Sequence, residues 1–290
     1  MRYAVVGGDR RSALLARLLL RQGHRVHSFA LEKAELPAEI PRDLSLHACV
    51  YGADCVLLPT PAEKGGLLYA PLGLSAAGMD EVVGALWPGG LVIGGRFSPR
   101  TAELAQRAGL RIEDLMRRPD YVLGNAAITA EGAIGLLLRE SERTLLHSRC
   151  LVTGWGRVGR LLALRLRALG AEVTAAARKA ADRAEAEALG LRALDYGALE
   201  GVAGELDFVV NTVPARVLSD ALLCCLPGEA LVLELASPPG GFDPVLAKNI
   251  GLRALAAPGL PGQFAPEAAA GLIWETAGAI AREREESDGT

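Results

Sequence analysis

A glycine pattern repeated in the two halves of the chain is the feature that most constrains its fold. Each half contains a short apolar run, a glycine turn, an amphipathic stretch, a further glycine and a second apolar run. The repeated residues keep the same mutual spacing: Gly7, Gly23 and Val26 in the first half, Gly154, Gly170 and Val173 in the second. This order is typical of a βαβ unit. Two such beginnings predict an α/β chain of two domains, each with a doubly wound parallel sheet.

Two long helical patterns indicate how the 290 residues divide. One begins at Thr129, its predicted N-cap, and ends near Leu146, and the other spans about residues 267–284. We predict a first domain of residues 1–125 and a second domain of residues 126–290 that includes both helices. The alternative is that the final helix crosses back to the first domain.

Composition excludes several classes of protein. The residues are 50% hydrophobic and the formal net charge is −3, so we expect neither wholesale disorder nor nucleic acid as the main partner. An apolar run of the roughly 18–20 residues that a membrane helix needs is absent; Leu14–Leu20, for example, contains Arg17. The five cysteines lack metal-ligand spacing, and the first residues enter a strand pattern directly. We therefore expect a cytoplasmic chain with reduced thiols, no metal site and no secretory leader.

The second glycine turn has the pattern of a dinucleotide-binding site. Residues 154–159 read G-W-G-R-V-G between a predicted strand and a predicted helix, which is the context that this motif requires. Gly154 permits the tight turn, Gly156 lets a pyrophosphate approach the backbone, and Gly159 allows close helix–strand packing. We predict that the second domain is a Rossmann domain that binds its cofactor through Gly154, Trp155, Gly156, Arg157, Val158 and Gly159. A glycine turn without a ligand is the alternative.

Two further segments of the second domain favour NADP over NAD. A site specific for NAD places an acidic residue after the second strand, whereas this chain has Arg178 and Lys179 there. A pair of cations suits the 2′-phosphate of NADP, and a solvated turn is the alternative. The next predicted strand ends in N-T-V-P, and we predict that Asn211, Thr212 and Pro214 lie beside the nicotinamide ribose.

The first glycine turn departs from this pattern. Residues 7–12 read G-G-D-R-R-S, so Asp9 stands at the position of the second glycine and Ser12 at that of the third. A carboxylate there repels a pyrophosphate, so we expect no dinucleotide in the first domain. The ends of its strands instead offer a ligand four polar side chains, those of Asp9, Arg10, Thr60 and Arg96.

The histidines limit the chemistry, because none lies beyond His147. A 2-hydroxyacid dehydrogenase needs a histidine acid/base late in its cofactor domain, so that chemistry is disfavoured. Two turns, residues 125–132 and 258–266, are predicted to enter helices, with Pro266 in the first turn of the last helix. Two helix N-termini at one cleft would suit a small dicarboxylate. Rigid helix entries without a ligand are the alternative.

Five motifs, in order along the chain, resemble the family of dipicolinate synthase A subunits. They are GGDRR from Gly7, NAAITAEGAI from Asn125, GWGRVG from Gly154, LASPPGGFD from Leu235 and APGLPGQFAP from Ala257. The resemblance implies oxidation of a dihydrodipicolinate, formed from 4-hydroxy-tetrahydrodipicolinate, to dipicolinate with NADP as the acceptor. It also implies a partner, the flavoprotein-like B subunit of the synthase, and a place in the mother-cell cytoplasm of a sporulating bacterium.

The implied reaction suggests roles for the candidate residues, because aromatisation releases a hydride and a proton without needing a strong base. The candidates on the substrate side are Asn125, Thr129, Glu131, Arg96, Arg10 and Asp9. Either Arg96 or Arg10 is expected to pair with a ring carboxylate. Either Glu131 or Asp9 is expected to accept the ring proton.

Two other functions stay open at this point. The chain could be a non-catalytic NADP-binding subunit whose flavoprotein partner performs the oxidation. It could also be a two-domain dehydrogenase of another small acid. For the assembly, a homo-oligomer is an alternative to a single chain.

Overall fold

The structure is a computed structural model that describes residues 1–74 and 77–288. The chain forms two compact units: unit 1 comprises Met1–Asn125 with Ala265–Thr290, and unit 2 comprises Ala126–Phe264. The final helix therefore groups with unit 1. This corrects the bounds 126–290 at their C-terminal end and agrees with the alternative in which that helix crosses back.

Unit 1 is built on a five-stranded parallel sheet. The strands of the sheet are β1 (Arg2–Val6), β2 (Arg25–Phe29), β3 (Cys55–Leu57), β6 (Leu91–Gly94) and β7 (Arg111–Asp114). A separate two-stranded hairpin consists of β4 (Glu63–Lys64) and β5 (Leu67–Leu68). The order across the sheet is β2-β1-β3-β6-β7. With the hairpin set aside, this is the doubly wound order 2-1-3-4-5, in which the chain reverses direction across the sheet between β1 and β3.

The helices of unit 1 cover this sheet. They are α1 (Arg10–Arg21), α2 (Leu46–Val50), α3 (Met79–Ala85), α4 (Pro99–Arg107) and the start of α5 (Pro119–Arg139), with a short 3₁₀ helix over Leu115–Arg117. The central strands are buried on both faces, as expected for parallel strands with helices on each side.

Unit 2 is built on a six-stranded parallel sheet. Its strands are β8 (Arg149–Thr153), β9 (Glu172–Ala176), β10 (Arg192–Leu194), β11 (Phe208–Asn211), β12 (Leu231–Glu234) and β13 (Arg253–Ala256). The order across the sheet is β10-β9-β8-β11-β12-β13. This is the 3-2-1-4-5-6 order of the Rossmann fold, so the predicted fold class is confirmed.

The connections of unit 2 are mostly helical. The helices are the end of α5, α6 (Arg157–Ala168), α7 (Ala180–Ala188), α8 (Glu200–Ala203), α9 (Asp220–Cys225), α10 (Pro244–Asn249) and α11 (Leu260–Phe264), with a 3₁₀ helix over Tyr196–Ala198. The chain then enters α12 (Pro266–Asp288) in unit 1. Pro266 opens that helix as predicted, but the turn before it contains the short helix α11.

The repeated glycine pattern corresponds to repeated hydrogen bonds. The N–H of Gly7 donates to Phe29 O in unit 1, and the N–H of Gly154 donates to Ala176 O in unit 2, both at 2.8 Å. Each bond ties the turn after the first strand to the end of the second strand. The two halves of the chain therefore begin with the same βαβ arrangement, as the sequence predicts.

Helix α5 lies further toward the N-terminus than the sequence predicts. It begins at Pro119 rather than at Thr129 and ends at Arg139 rather than near Leu146. Pro119 at the first position and Asp120 in the first turn are typical helix-start signals. The sequence predicts a turn over residues 125–132, with Thr129 as the N-cap of the helix, and this prediction is wrong. The buried residues of the segment follow helical spacing, as shown by Ala126, Ala130, Ala133 and Leu137.

Within the described residues, α5 alone is long and apolar enough to cross a membrane by length and composition. The mean hydropathy of its apolar window is 1.4, and 33% of that window is buried. No uninterrupted apolar run of that length is present, and the leucines, isoleucines and alanines of α5 raise the mean although the helix contains Asp120 and Glu131. One such helix is weak support for a membrane protein, because core helices of soluble proteins share this composition.

Candidate functional site

The glycine turn of unit 2 lies where the Rossmann sheet reverses its order, between β8 and β11. Gly154 follows β8 directly and has a φ of 95°, a left-handed conformation that favours glycine. The neighbouring strand end is attached to it, because Thr212 Oγ1 donates to Thr153 O at 2.7 Å. Ligands of open α/β sheets bind outside the carboxyl ends of the strands at such a reversal.

The other two glycines of the turn fit a dinucleotide. A Cβ atom on Gly156, the N-cap of α6, would meet nothing within 4 Å, so the backbone is open to an approaching group. A Cβ atom on Gly159 would overlap the carbonyl oxygen of Gly154, so helix and turn approach too closely for any side chain. The first N–H groups of α6 and the helix dipole are then available to phosphates.

The remaining residues of the turn divide between surface and core. Arg157 is exposed at the first position of α6, and Val158 is half-buried behind it. Trp155 is 6% exposed, its Nε1 donates to Glu185 Oε2 at 3.1 Å, and the Arg160 guanidinium lies 5.7 Å from its ring centroid. The structure therefore gives Trp155 a role in holding α6 against α7.

The cation pair predicted to choose the cofactor lies directly after β9. Arg178 and Lys179 are both exposed in the turn that leads into α7. Arg183 stabilises this turn, because its Nη1 donates to the carbonyl oxygens of Ala177 and Arg178 at 2.8 Å each and to Asp195 at 3.0 Å. The turn thus presents positive charge where an NAD-specific site has a carboxylate.

Asn211 has a different role from the predicted contact with the nicotinamide ribose. It is fully buried, its Oδ1 accepts from Thr153 Oγ1 and Val213 N, and its Nδ2 donates to Val213 O and Glu234 Oε1. All its hydrogen-bonding capacity is used within the protein. Asn211 therefore shapes the loop after β11, whereas Thr212 is half-buried and Pro214 is exposed on that loop.

In unit 1 the end of β1 carries an ion pair that the sequence did not predict. Asp9 is the N-cap of α1, and its carboxylate accepts Arg11 Nε at 3.0 Å and Arg11 Nη2 at 2.8 Å. Arg11 Nη2 also donates to Thr60 O at 2.5 Å, which connects the ends of β1 and β3. Burial lowers the pKa of Arg11, but the hydrogen bond and charge of Asp9, with smaller contributions from Tyr121 and Tyr69, together raise it above its usual value, so the guanidinium stays charged.

Arg11 was missed in favour of Arg10, although the sequence contained the signal. The buried positions of α1 include Arg11, Leu15 and Leu19, which follow one another at helical spacing on one apolar face. An arginine on such a face is rarely buried without a charged partner. Arg10, by contrast, is exposed.

The first glycine turn accommodates Asp9 and Ser12 because its closest backbone contact lies at Gly8. A Cβ atom on Gly8 would overlap the Ser12 hydroxyl, so a glycine at position 8 makes room for the side chain that replaces the third glycine. Asp9 then fills the place corresponding to Gly156 with a bonded carboxylate. This arrangement supports the expectation that unit 1 takes no dinucleotide.

Arg96 lies at the end of β6, close to Thr60. A Cβ atom on the preceding Gly95 would meet Thr60 Oγ1 at 2.6 Å. Arg96 has a φ of 58°, which is unusual for a residue with a side chain, and its N–H donates to Asp114 Oδ1 at 3.0 Å. Strained backbone of this kind concentrates at ligand sites. The predicted candidates Asp9, Thr60 and Arg96 therefore stand on adjacent strand ends.

The three candidates on α5 do not share one face. All lie inside the helix, so Thr129 is not an N-cap. Asn125 and Thr129 are one turn apart on the same side, whereas Glu131 lies about 120° around the helix from Asn125 and about 160° from Thr129, since each residue advances the helix by about 100°. Glu131 is exposed and pairs with Arg165 at 3.7 Å. The structure thus separates Glu131 from Asn125.

The acidic, histidine and cysteine side chains of the described residues form no metal site, and three of the thiols are buried. The part of the chain that the structure describes contains no group of three or more His, Cys, Asp or Glu that could hold a metal ion. Cys49, Cys55 and Cys150 are buried free thiols, and burial raises the pKa of Cys55 and of Cys150 to about 12. Cys224 and Cys225 are exposed.

Two family profiles match the chain, one in each half. Residues 2–116 match the N-terminal domain of the dipicolinate synthase A subunit. Residues 137–223 match the D-isomer specific 2-hydroxyacid dehydrogenase, NAD binding domain, and this span contains the glycine turn and Arg178. Unit 2 is accordingly a nicotinamide-dinucleotide-binding domain of dehydrogenase type.

Relatives match over nearly the whole chain. The A subunit of dipicolinate synthase from Bacillus subtilis (strain 168) is 29% identical over 276 residues, covering 94% of this chain and 93% of that protein. The crystal structure of the same synthase's A chain from Bacillus subtilis superposes with a TM-score of 0.82 at 26% identity, covering 99% and 97% of the two chains. That of the A subunit of the synthase from Bacillus halodurans has a TM-score of 0.84 at 24% identity, covering 96% and 97%. The N-terminal profile, the full-length relative and the shared fold agree that this chain is similar to dipicolinate synthase A subunits over nearly its whole length.

Proposed function

We propose that this dehydrogenase-like subunit oxidises a dihydrodipicolinate to dipicolinate with NADP. The observation that carries the proposal is the combination of a complete dinucleotide turn in unit 2 with a cluster of polar side chains at the strand ends of unit 1. The B. subtilis relative bears the name of this synthase, which supports the same reaction. The proposal includes a partner, the flavoprotein-like B subunit of the synthase. It also places the chain in the mother-cell cytoplasm of a sporulating bacterium.

The reaction converts dihydrodipicolinate and NADP⁺ to dipicolinate, NADPH and a proton. Bound NADP⁺ would supply the hydride acceptor. The chain would bind the phosphates at the N-terminus of α6, with Gly156 leaving space for them and Arg157 exposed beside them. Because the ring becomes aromatic, the residues at the substrate mainly need to bind carboxylates and let a proton leave.

The structure bears on which residues would act on the substrate. Arg96 is the better candidate for a ring carboxylate than Arg10, because it has the left-handed backbone of a strained residue and follows Gly95, whose backbone approaches Thr60. Asn125 and Thr129 share a face of α5 and remain candidates there. For the ring proton, Glu131 is disfavoured because it lies on a different face of α5 from Asn125 and pairs with Arg165. Asp9 is disfavoured as well, because both its oxygens already bind Arg11. Water is then the simplest acceptor.

The exposed cations Arg178 and Lys179 should determine which dinucleotide binds. Replacing both Arg178 and Lys179 with alanine should weaken NADP binding roughly 10- to 100-fold, as for lost charged hydrogen bonds, and leave NAD binding nearly unchanged. Arg192→Ala is the matched control, because Arg192 is an exposed cation at the opposite end of the neighbouring strand β10. Calorimetric titration with each dinucleotide measures the effect. Equal losses for NADP and NAD would contradict a 2′-phosphate site.

The activity itself is tested with the purified chain alone. It is mixed with NADP and freshly generated 4-hydroxy-tetrahydrodipicolinate, and the absorbances of NADPH and of dipicolinate are followed together. Coupled appearance of the two establishes the proposed oxidation. If NADP binds but nothing is turned over, the B subunit is added. Turnover only in its presence would favour the alternative of a non-catalytic NADP-binding subunit.

A further inference from the structure

The guanidinium of Arg11 is held in one orientation at the strand ends of unit 1. Its side chain is 8% exposed, and the two bonds to Asp9 together with the bond to Thr60 O use Nε and Nη2. Because these acceptors belong to two different segments of the chain, the group has little freedom to turn. Its remaining nitrogen, Nη1, is therefore presented in a fixed place.

Nη1 is available to a ligand. It makes no hydrogen bond with any residue in the ranges 1–74 and 77–288, and it is not sealed from solvent. An arginine nitrogen of this kind carries two N–H donors. A charged donor pair that the fold orients but does not satisfy is suited to an anionic acceptor.

A second polar group beside Arg11 also lacks a well-formed hydrogen bond. Thr60 is 9% exposed, and its Oγ1 is buried without a partner of good geometry among the described residues, although the Tyr121 hydroxyl lies close to it. Burial raises the pKa of Tyr121, and the nearby positive charge of Arg11 offsets part of this rise. Buried hydroxyls are normally hydrogen-bonded, so an unsatisfied one indicates that a ligand or water completes the site.

The position of this group in the fold is one where ligands bind. Asp9 and Arg11 follow β1 and Thr60 follows β3, and the chain reverses its direction across the sheet between these two strands. The crevice outside the carboxyl ends at such a reversal is the usual ligand site of doubly wound sheets. The dinucleotide turn of unit 2 stands at the equivalent place.

We propose that Arg11 binds one carboxylate group of the substrate through Nη1, with the Thr60 hydroxyl as a second contact and Asp9 as the positioning residue. A carboxylate suits the site better than a phosphate, because Asp9 already balances the charge of Arg11 and a dianion would be repelled. The identity of the substrate as a dicarboxylate rests on the proposed function. The assignment of Arg11 as a carboxylate-binding residue does not rest on the proposed function.

The test measures ligand binding rather than turnover. Dipicolinate, and pyridine-2-carboxylate as its single-carboxylate counterpart, are titrated calorimetrically into the full chain with and without NADP. Arg11→Lys should weaken dipicolinate binding roughly 10- to 100-fold while the melting temperature and NADP affinity stay near those of the wild type. Arg21→Ala is the control, because Arg21 is an exposed cation in the last turn of the same helix.

The outcomes separate this inference from the proposed function. Unchanged dipicolinate affinity in folded Arg11→Lys protein would overturn the role of Arg11. If the wild type ignores dipicolinate but binds 2-oxo acids in an Arg11-dependent way, the proposed substrate fails and the carboxylate site stands. If no small carboxylate binds, the inference fails. Should Arg11→Lys not fold, Thr60→Val decides, since it removes only the hydroxyl: a weakened carboxylate affinity supports the site and an unchanged one refutes it.

Discussion

At the scale of single residues, two glycines of the dinucleotide turn have different structural roles. The position of Gly156 is open, so what it provides is access for a ligand to the backbone. Gly159 lies against the carbonyl of Gly154, so what it provides is close packing of α6 on the turn. A methyl group added at each position should therefore affect binding and stability to different extents.

Gly156→Ala should abolish tight dinucleotide binding at an unchanged melting temperature, because the new methyl group points to the side where the pyrophosphate approaches. Gly159→Ala should also lose binding and in addition cost about 1–3 kcal/mol of unfolding free energy, because α6 has to move away from Gly154. Thermal denaturation and calorimetric titration of both variants check this. A destabilised Gly156→Ala, or a fully stable Gly159→Ala, would show that the assignments are wrong.

At the scale of elements, α12 completes the core of unit 1. Its buried residues Ala270, Ile273, Ala277 and Ile280 recur at helical spacing and belong to the same hydrophobic cluster as Leu15 and Leu19 of α1. Arg118 also joins the start of α5 to α12, since Nη1 and Nη2 each donate to Glu283 at 2.7 Å. The last helix is therefore part of the first folding unit, although the chain reaches it only after all of unit 2.

Shortening a buried side chain of α12 should destabilise unit 1. Ile273 is 5% exposed, and Ile273→Ala should lower the unfolding free energy by about 2–4 kcal/mol through lost burial and the cavity left behind. Glu275→Ala, on the exposed side of the same helix, should change it little. Urea denaturation of both variants measures the difference. An equally small effect of the two would mean that α12 does not stabilise unit 1.

At the scale of the whole molecule, the unfolding free energy should decrease as the pH becomes alkaline. Burial raises the pKa of Tyr3 from 10.0 to about 12, and it raises the pKa values of Cys55 and Cys150 from 9.0 to about 12. These groups stay protonated in the folded chain and ionise in the unfolded chain. Their contribution is thus complete below the unfolded pKa and is lost as pH rises toward the folded value.

The unfolding free energy should therefore fall between about pH 9 and pH 12, by up to about 1.4 kcal/mol per pH unit for each such group. Both units should respond, because Tyr3 and Cys55 lie in unit 1 and Cys150 in unit 2. Urea denaturation across this range measures the slope, and Cys55→Ala together with Cys150→Ala should flatten it. A wild-type stability independent of pH in this range would refute the prediction.

Much of the fold could be predicted because its signals are local. The glycine turns, the alternation of strands and helices and the position of Pro266 depend on residues that are neighbours along the chain. The same holds for the dinucleotide turn, where three glycines within one strand–helix connection carry both the geometry and the chemistry. The start signals of α5, Pro119 and Asp120, are local as well, but Thr129 is also a residue type that caps helices, and the sequence favoured it.

Other features were decided by contacts between residues far apart in sequence. The unit to which α12 belongs depends on its packing against α1, and the role of Asn211 depends on Thr153 and Glu234. The choice of Arg11 over Arg10 follows from which side chain is buried and can reach Thr60. The sequence shows which groups can ionise or donate a hydrogen bond. Only the tertiary structure decides which of them are already satisfied by the protein and which stay open to a ligand, because burial and partnership come from segments that fold together.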